Sequence, residues 1–418
     1  MLPLLKIPFK VYLGIYLGGI FIFLLSGPFI TIIEGYFAIL LHPSLLVTDY
    51  LAVGGLTASF LNAWVLTGLA ALILIKTTAN FSGIAIAGLM TVFGFAFFGK
   101  NVINVLPIWI GFYLYTRIIK SSLRQYVGTF LFSSGIAPSV SYIMFGLSLP
   151  YYVGISLGVL VGVLIGILTP LIVAVVGKFH QGNNLYNTGF GLGFIALLLS
   201  SILKALQVPV SVETTLSTSF HIPISIFVLT LSIGMIGISI VFKKTILRPW
   251  SSLLQTAGNL PSDYVKLFGV RVTLFNIGTL GLFALLLSFF YQFELSGPVF
   301  AGVLTLMGFG AYGKHLLNVF PIIVGVSLVT LLPAFSLDQL GVILAFLFGT
   351  ALAPISGRYG PFYGVLAGFL IVILAPVAFE FQGGFDLYNF GFAAGFVAGI
   401  VSVVAQQFPI RFPSRVRH

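Results

Sequence analysis

No cysteine occurs among the 418 residues, which excludes disulfides and thiol chemistry outright. Charge is nearly as scarce: 6% of the residues are charged, where a soluble domain carries roughly a quarter. The chain has only eight Asp and Glu. Its five histidines, His42, His180, His221, His315 and His418, are scattered without metal-ligand spacing, and no HExxH, nucleophile elbow or acid pair appears. These absences speak against an enzyme, and no cofactor or metal is expected.

Apolar residues fill the space that charge leaves, at 59% of the chain with a mean hydropathy of +1.16. A spanning helix needs about 20 largely apolar residues, because lipid leaves every backbone amide to be satisfied within its own helix, and about fourteen runs are long enough to serve. The expected fold class is therefore an all-α polytopic membrane protein. A net charge of +11 raises the question of nucleic acid. The basic residues sit singly or in short clusters between apolar runs, however, so they are expected to anchor topology, with the lipid bilayer and a small-molecule solute as partners and no nucleic acid. Assembly with further copies of the chain is left open. After Lys6 and Lys10, residues 11–33 are long enough to span, so no cleaved signal is expected.

The stretch FGKNVINVLPIWIG (98–111) recurs as YGKHLLNVFPIIVG (312–325). The same shift of 214 positions relates Asp49-Tyr50 to Asp263-Tyr264, Asn62 to Asn276, and Gly94 to Gly308. Further on, LFSSGIAPSVS (131–141) matches LFGTALAPISG (347–357), and QGNNLYNTGFGLGF (181–194) matches QGGFDLYNFGFAAGF (382–396). The chain is thus an internal repeat. Residues 1–206 form one unit and 222–418 the other, with 207–221, polar and β-branched, as an extracytoplasmic linker. Spans are expected near 11–33, 51–75, 80–98, 102–119, 124–146, 150–177 and 185–206, and again in the second unit. Seven is odd, so the units should cross the membrane in opposite senses. With both termini inside, all the Lys and Arg except Lys100 and Lys204 fall on the cytoplasmic side, including the clusters Arg117/Lys120/Arg124, Lys243/Lys244/Arg248 and Arg411/Arg415/Arg417. The counterpart of the Arg117–Arg124 loop, SLDQLG (336–341), has no basic residue. Two inverted repeats of about seven segments, with broken or re-entrant helices, follow as the expected architecture, and a solute site is expected where they meet.

Four motifs offer side chains to such a site. Gly94-x₄-Gly99-Lys100 and Gly308-x₄-Gly313-Lys314 imitate a phosphate-binding loop, but Asn101 and His315 stand where Mg²⁺ needs a Ser or Thr. A break between two membrane helices fits better, with Lys100 and Lys314 in the break, Asn104 and Asn318 four residues on, and Pro107 and Pro321 in the next helix. The bland alternative is an interfacial loop whose lysine snorkels to headgroups. Pro138 and Pro354 fall mid-span in the fifth helix of each unit, where Ser139, Ser141 and Ser356 could re-satisfy the backbone or meet a solute. Tyr186/Asn187 and Tyr388/Asn389 begin the last helix of each unit and could be interfacial anchors or amides aimed at a polar path. Asp386, which stands where the first unit has Asn184, could carry a coupling proton or sodium, or cap its helix. The glycine ladders at Gly154/Gly158/Gly162/Gly166, Gly360/Gly364/Gly368 and Gly391/Gly395/Gly399 are expected to be packing surfaces.

Read in succession, YGKHLLNVFPIIVG, GTALAPISG and GGFDLYNFGF resemble an uncharacterised family of bacterial integral membrane proteins of about this length. The first unit departs from that pattern with Asn101 in place of His. The resemblance implies a multi-pass protein of the bacterial cytoplasmic membrane and brings no substrate or catalytic residue with it. The YN-x-G-x-x-x-G pattern is also similar to urea channels, and the outline to nucleobase and anion carriers, both as architectural analogy. The expected function is transport of a small polar solute, anionic by preference. A passive urea-channel-like protein, a membrane enzyme or a scaffold are the alternatives.

Overall fold

The structure is a computed structural model that describes residues 28–77, 82–208, 210, 214–241 and 245–410. Most of the expected span 11–33 lies outside the described residues, as do Lys6, Lys10, Lys243/Lys244 and Arg411/Arg415/Arg417. The described chain is helical. In the first unit the order is α1 (Phe29–Leu41), α2 (Tyr50–Lys76), α3 (Gly83–Phe95), α4 (Val102–Ile118), α5 (Val127–Ser133), α6 (Ala137–Ser141), α7 (Tyr151–Val176) and α8 (Asn187–Ala205). The second unit contributes α9 (His221–Val241), α10 (Leu247–Leu253), α11 (Tyr264–Tyr291), α12 (Gly297–Gly308), α13 (Leu316–Val329), α14 (Leu340–Phe348), α15 (Ala353–Tyr359), α16 (Pro361–Gln382) and α17 (Asn389–Gln407). Nine helical stretches among the described residues are long and apolar enough to cross a membrane, which makes this a multi-pass architecture.

Three expectations about spans are corrected. Residues 80–98 and 102–119 are not two full crossings: α3 has 13 residues and α4 has 17, or about 20 and 25 Å at 1.5 Å per residue, both short of a hydrocarbon core of about 30 Å. Their counterparts α12 and α13 have 12 and 14 residues. The fifth segment is not one α-helix with a proline kink. A 3₁₀ turn at Ser134–Ile136 separates α5 from α6, and another at Gly349–Leu352 separates α14 from α15, so Pro138 and Pro354 stand in the first turn of a new helix, where no amide is missed. The long helices α2 and α11 are also interrupted, at Gly55 and its counterpart Gly269.

Burial sorts the helices. Leu160, Leu164 and Leu171 on α7 and Ile222, Ile226 and Ile233 on α9 face outward, as a lipid-facing surface requires, whereas α12 is buried along its whole length. The core is continuous through both units. At its centre α3 packs against α12: a Cβ on Gly94 would meet Ala301 Cα at 2.9 Å, and one on Gly308 would meet Ala87 Cα at 3.2 Å. Ala87 and Ala301 are themselves counterparts, so the two helices run antiparallel through reciprocal contacts. The units are tied in the same reciprocal way elsewhere. Gly297 N–H donates to Asp49 at 3.1 Å and Gly83 N–H to Asp263 at 3.0 Å; Leu185 N–H reaches the Ala351 carbonyl at 3.0 Å and Leu387 N–H the Gly135 carbonyl at 2.9 Å. The linker adds Thr215, whose amide and carbonyl bond Val47 and Asp49 at 3.1 Å each.

The glycine ladders pack helices closely. A Cβ on Gly111 of α4 would fall inside the Val163 carbonyl of α7, and one on Gly325 of α13 inside the Val365 carbonyl of α16. Gly111→Ala and Gly325→Ala should therefore force their helix pairs apart, at a cost of roughly 1–3 kcal/mol each, read as a lower thermal unfolding midpoint in detergent. Gly234→Ala and Gly237→Ala on α9, where a Cβ would meet nothing within 4 Å, should leave the midpoint unchanged. Equal midpoints across all four variants would refute the close-packing account.

Candidate functional site

Two helix breaks, Phe95–Asn101 and Phe309–His315, lie in the core at opposite ends of the antiparallel α3–α12 pair, each beside the other helix's N-terminus, and are built alike. At the first, Phe98 N–H and Lys100 N–H both return to the Phe95 carbonyl at 3.2 Å; at the second, Tyr312 N–H and Lys314 N–H return to Phe309 at 2.8 and 2.9 Å. The reversal needs positive φ, which glycine adopts without strain, at Gly99 (φ 84°) and Gly313 (φ 110°). The following helix is capped by a side chain. Asn101 Oδ1 accepts from Ile103 N–H at 3.0 Å and Asn104 N–H at 3.1 Å, and in the second unit His315 Nδ1 accepts from Asn318 N–H at 3.3 Å. Asn101 and His315 are thus interchangeable as caps, which accounts for the substitution between units.

Asn104 and Asn318 close the breaks and are not free to greet a solute. Their Oδ1 atoms accept from Asn101 N–H and His315 N–H at 2.9 Å, and their Nδ2 atoms donate to the Gly99 carbonyl at 2.9 Å and the Gly313 carbonyl at 2.8 Å. Asn62 and Asn276 complete the brace from α2 and α11. Asn62 Nδ2 donates to the carbonyls of Ala96 at 2.7 Å and Lys100 at 2.8 Å, and Asn276 Nδ2 to those of Gly310 and Lys314 at 2.8 Å each.

The lysines do not snorkel, because both are fully buried. Lys100 Nζ donates to Ser134 Oγ at 3.0 Å and to the Tyr388 hydroxyl, and Lys314 Nζ donates to Thr350 Oγ1 at 2.7 Å and to the Tyr186 hydroxyl at 2.6 Å. Each ammonium takes one acceptor from its own unit and one from the other. Each also sits over aromatic faces, Lys100 at 4.6 Å from the Tyr388 ring and 5.0 Å from Phe95, Lys314 at 4.6 Å from Tyr186 and 5.3 Å from Phe309. Among the described residues no carboxylate lies within ion-pair distance of either.

The rings beneath the lysines line a central cavity of about 20 Å³, room for about one water molecule. Its walls come in counterpart pairs: Thr91 and Thr305, Phe95 and Phe309, Phe132 and Phe348, Tyr186 and Tyr388. Thr305 Oγ1 donates to the Ala301 carbonyl at 2.7 Å, while the buried Thr91 Oγ1 has no partner. Phe132 and Thr188 also line a second, open cavity of about 380 Å³, whose polar wall includes Ser82, Arg124, Gln125, Asn187 and Lys266.

The sequence-derived candidates therefore divide. Lys100, Lys314, Tyr186 and Tyr388 meet at the centre. Asn187 lies on the vestibule wall with its Oδ1 on His180 Nε2 at 2.9 Å, but Asn389 turns its Oδ1 onto the Phe390 amide at 2.9 Å. Ser139 bonds the Ile136 carbonyl at 2.7 Å within its own turn, and Ser356 packs against Gly364. Asp386 is buried beside the centre, its Oδ1 accepting from Tyr388 N–H at 2.9 Å. The hydroxyls that do receive the lysines, Ser134 and Thr350, were missed. They occupy matched places in LFSSGIAPSVS and LFGTALAPISG, and that conserved pairing of two hydroxyls was the available signal.

Asn62→Leu and Asn276→Leu each remove the donor from two break carbonyls, so each should cost roughly 1–3 kcal/mol per carbonyl left unpaired, read as lower thermal midpoints of similar size. Unchanged midpoints in both would mean that helix capping alone holds the breaks.

No curated protein and no solved structure matches this chain. A family described as a protein of unknown function, DUF1576, matches residues 30–205 and 242–407, well over half of the sequence on either side of the linker. The chain belongs to the DUF1576 family.

Proposed function

We propose that the chain is a membrane transporter or channel for a small polar solute, with the path running through the centre of the molecule between two units that cross the membrane in opposite senses. The observation that carries this reading is the pair of helix breaks, each presenting a buried lysine whose second acceptor comes from the opposite unit. Non-helical backbone at membrane depth is tolerated where it is enclosed by protein or lines a path, and both breaks border the central cavity. The vestibule, which shares Phe132 and Thr188 with that cavity, supplies an approach from one side.

The opposite orientation is supported by parity. If each pair of short helices returns the chain to the side it left, five crossings remain among the described residues of the second unit, and the four of the first unit become five with the expected span 11–33, which lies outside the described residues. Antiparallel, reciprocal packing of α3 on α12 fits the same arrangement. Burial of Lys100 also removes one of the two exceptions to the placement of basic residues on the cytoplasmic side.

A small anion, such as a short carboxylate, fits the charges best. Two buried lysines face the centre while Asp386 lies near Lys100 alone, and the vestibule wall contains Arg124 and Lys266, the latter 3.6 Å from Asp263. The main-chain amides of the breaks do not contribute to anion binding, since those of residues 98, 100 and 101 and of 312, 314 and 315 are spent in closing the breaks. A second reading, a neutral solute of urea size, is favoured by the aromatic walls of the central cavity.

Purified protein in liposomes, offered small carboxylates, urea, ammonium and nucleobases, should take up a carboxylate. Lys100→Met and Lys314→Met keep the apolar stem and remove the charge, and each should reduce uptake at least tenfold while the protein still inserts, a loss of about 1.4 kcal/mol or more in the barrier. Full uptake by the double variant, or silence across the panel, would overturn the proposal.

A further inference from the structure

Asn184 and Asp386 hold the same place in the two units, two residues before Tyr186 and Tyr388. Asn184 Oδ1 accepts from Tyr186 N–H at 2.9 Å, as Asp386 Oδ1 accepts from Tyr388 N–H at 2.9 Å. The second atom of the side chain differs. Asn184 Nδ2 donates across the unit boundary to the Gly391 carbonyl at 2.9 Å, whereas Asp386 Oδ2, buried, has no partner. The residue that corresponds to Gly391 is Gly189, and the two meet reciprocally: a Cβ on Gly189 would touch Tyr388, and one on Gly391 would touch Tyr186. The group that corresponds to the Gly391 carbonyl is therefore another acceptor. An ionised carboxylate oxygen has nothing to donate to it.

Asp49 shows how many donors this chain can provide for a buried carboxylate. Its two oxygens accept three main-chain amides, from Leu51 at 2.9 Å, Ser217 at 3.0 Å and Gly297 at 3.1 Å. Asp386, equally buried, accepts one. An unpartnered charged oxygen in such surroundings is costly, and a proton removes both the charge and the missing donor.

We infer that Asp386 is a proton-binding site, with the proton on Oδ2 directed toward the Gly189 carbonyl in the state described, and that its release couples solute movement to protons. The O–H bond forms when the carboxylate takes a proton from water and breaks when it returns one. The ionisable groups around it are Lys100, from the break between α3 and α4, and Tyr388 in its own segment, with Tyr186 beyond. Lys100 acts on Asp386 across more than ion-pair distance. A bound sodium ion would face that ammonium. Lys100 also works against a proton on Asp386, but burial of the carboxylate is the larger effect, and a proton, unlike sodium, removes the buried charge and fills the missing donor. Lys314 has the neutral Asn184 where Lys100 has Asp386, so one such site exists per chain. The coupling, though not the proton site, rests on the transport reading above.

Infrared spectra of the lipid-reconstituted protein, taken from mildly acidic to alkaline buffer, test the site without any solute. Only eight carboxylic side chains contribute. At neutral pH the wild type should show the carbonyl band of a protonated, buried carboxylic acid that bleaches as pH rises, and Asp386→Asn should lack it at every pH. Asn184→Asp, which puts a carboxyl in the matching place, should add a second titrating band and serves if Asp386→Asn does not fold. In liposomes supplied with the small-carboxylate panel, Asp386→Asn should still equilibrate solute but lose its response to an imposed pH gradient. Absence of any protonated-acid band attributable to Asp386 would overturn the proposal. The band with no flux would support the proton site and count against the transport reading alone.

Discussion

A lysine carried into a lipid-surrounded core must be given acceptors by the protein, because neither water nor headgroup is there to supply them. Much of the interior follows from meeting that demand twice. Each break turns its lysine inward. Each lysine then requires a hydroxyl from its own fifth segment and a tyrosine from the last helix of the other unit. The aromatic faces beneath add a desolvated cation–π contact, worth about 2 kcal/mol. Neither unit alone satisfies its own lysine, so the two repeats are one cooperative object.

That requirement also explains what lies around the lysines. The tyrosines are held at the right height by the turns before α8 and α17, which Asn184 and Asp386 fasten through the tyrosine amides. The breaks are held by Asn62, Asn104, Asn276 and Asn318, whose amides take up carbonyls that no helix can satisfy. What remains after these bonds are made is a small aromatic cavity on the line where the units exchange, with Thr91 contributing the one cavity hydroxyl that has no partner. The two units depart from one another in the partner of Thr91, in the π-helical turn Tyr142–Gly146 and in the exchange of Asn184 for Asp386, among other places. Differences of this kind between matched units are what a path open to one side at a time would use.

The repeat and the importance of Gly-Lys-Asn-Pro were legible in sequence because they depend on residue identity at a fixed shift. Hydropathy could not tell a full span from a shorter helix: α3 and α4 are largely apolar, and only their lengths of 13 and 17 residues set them apart. For the same reason hydropathy left open whether Lys100 sits in a break at membrane depth or in an interfacial loop. The partner of Lys100 lies 288 positions away, beyond any local pattern, so the choice of Ser134 over Ser139 became clear only in three dimensions. Asn104 and Asn318 were read as polar groups facing a path because a side-chain cap and a solute ligand look alike in one dimension. Gly55 and Gly269, which interrupt α2 and α11, carried no signal beyond their recurrence.

The central claim is that a water-accessible path reaches the cavity between the units. The natural absence of cysteine makes one measurement direct. Thr91→Cys, at the central cavity, and Thr129→Cys, on the vestibule wall, are each exposed in proteoliposomes to a small, charged, membrane-impermeant thiol reagent. The account predicts rapid modification at residue 129 from the vestibule side, slower modification at residue 91, and protection of residue 91 by whichever solute the protein transports. Modification at residue 129 with none at residue 91 from either side, under any solute condition, would contradict it.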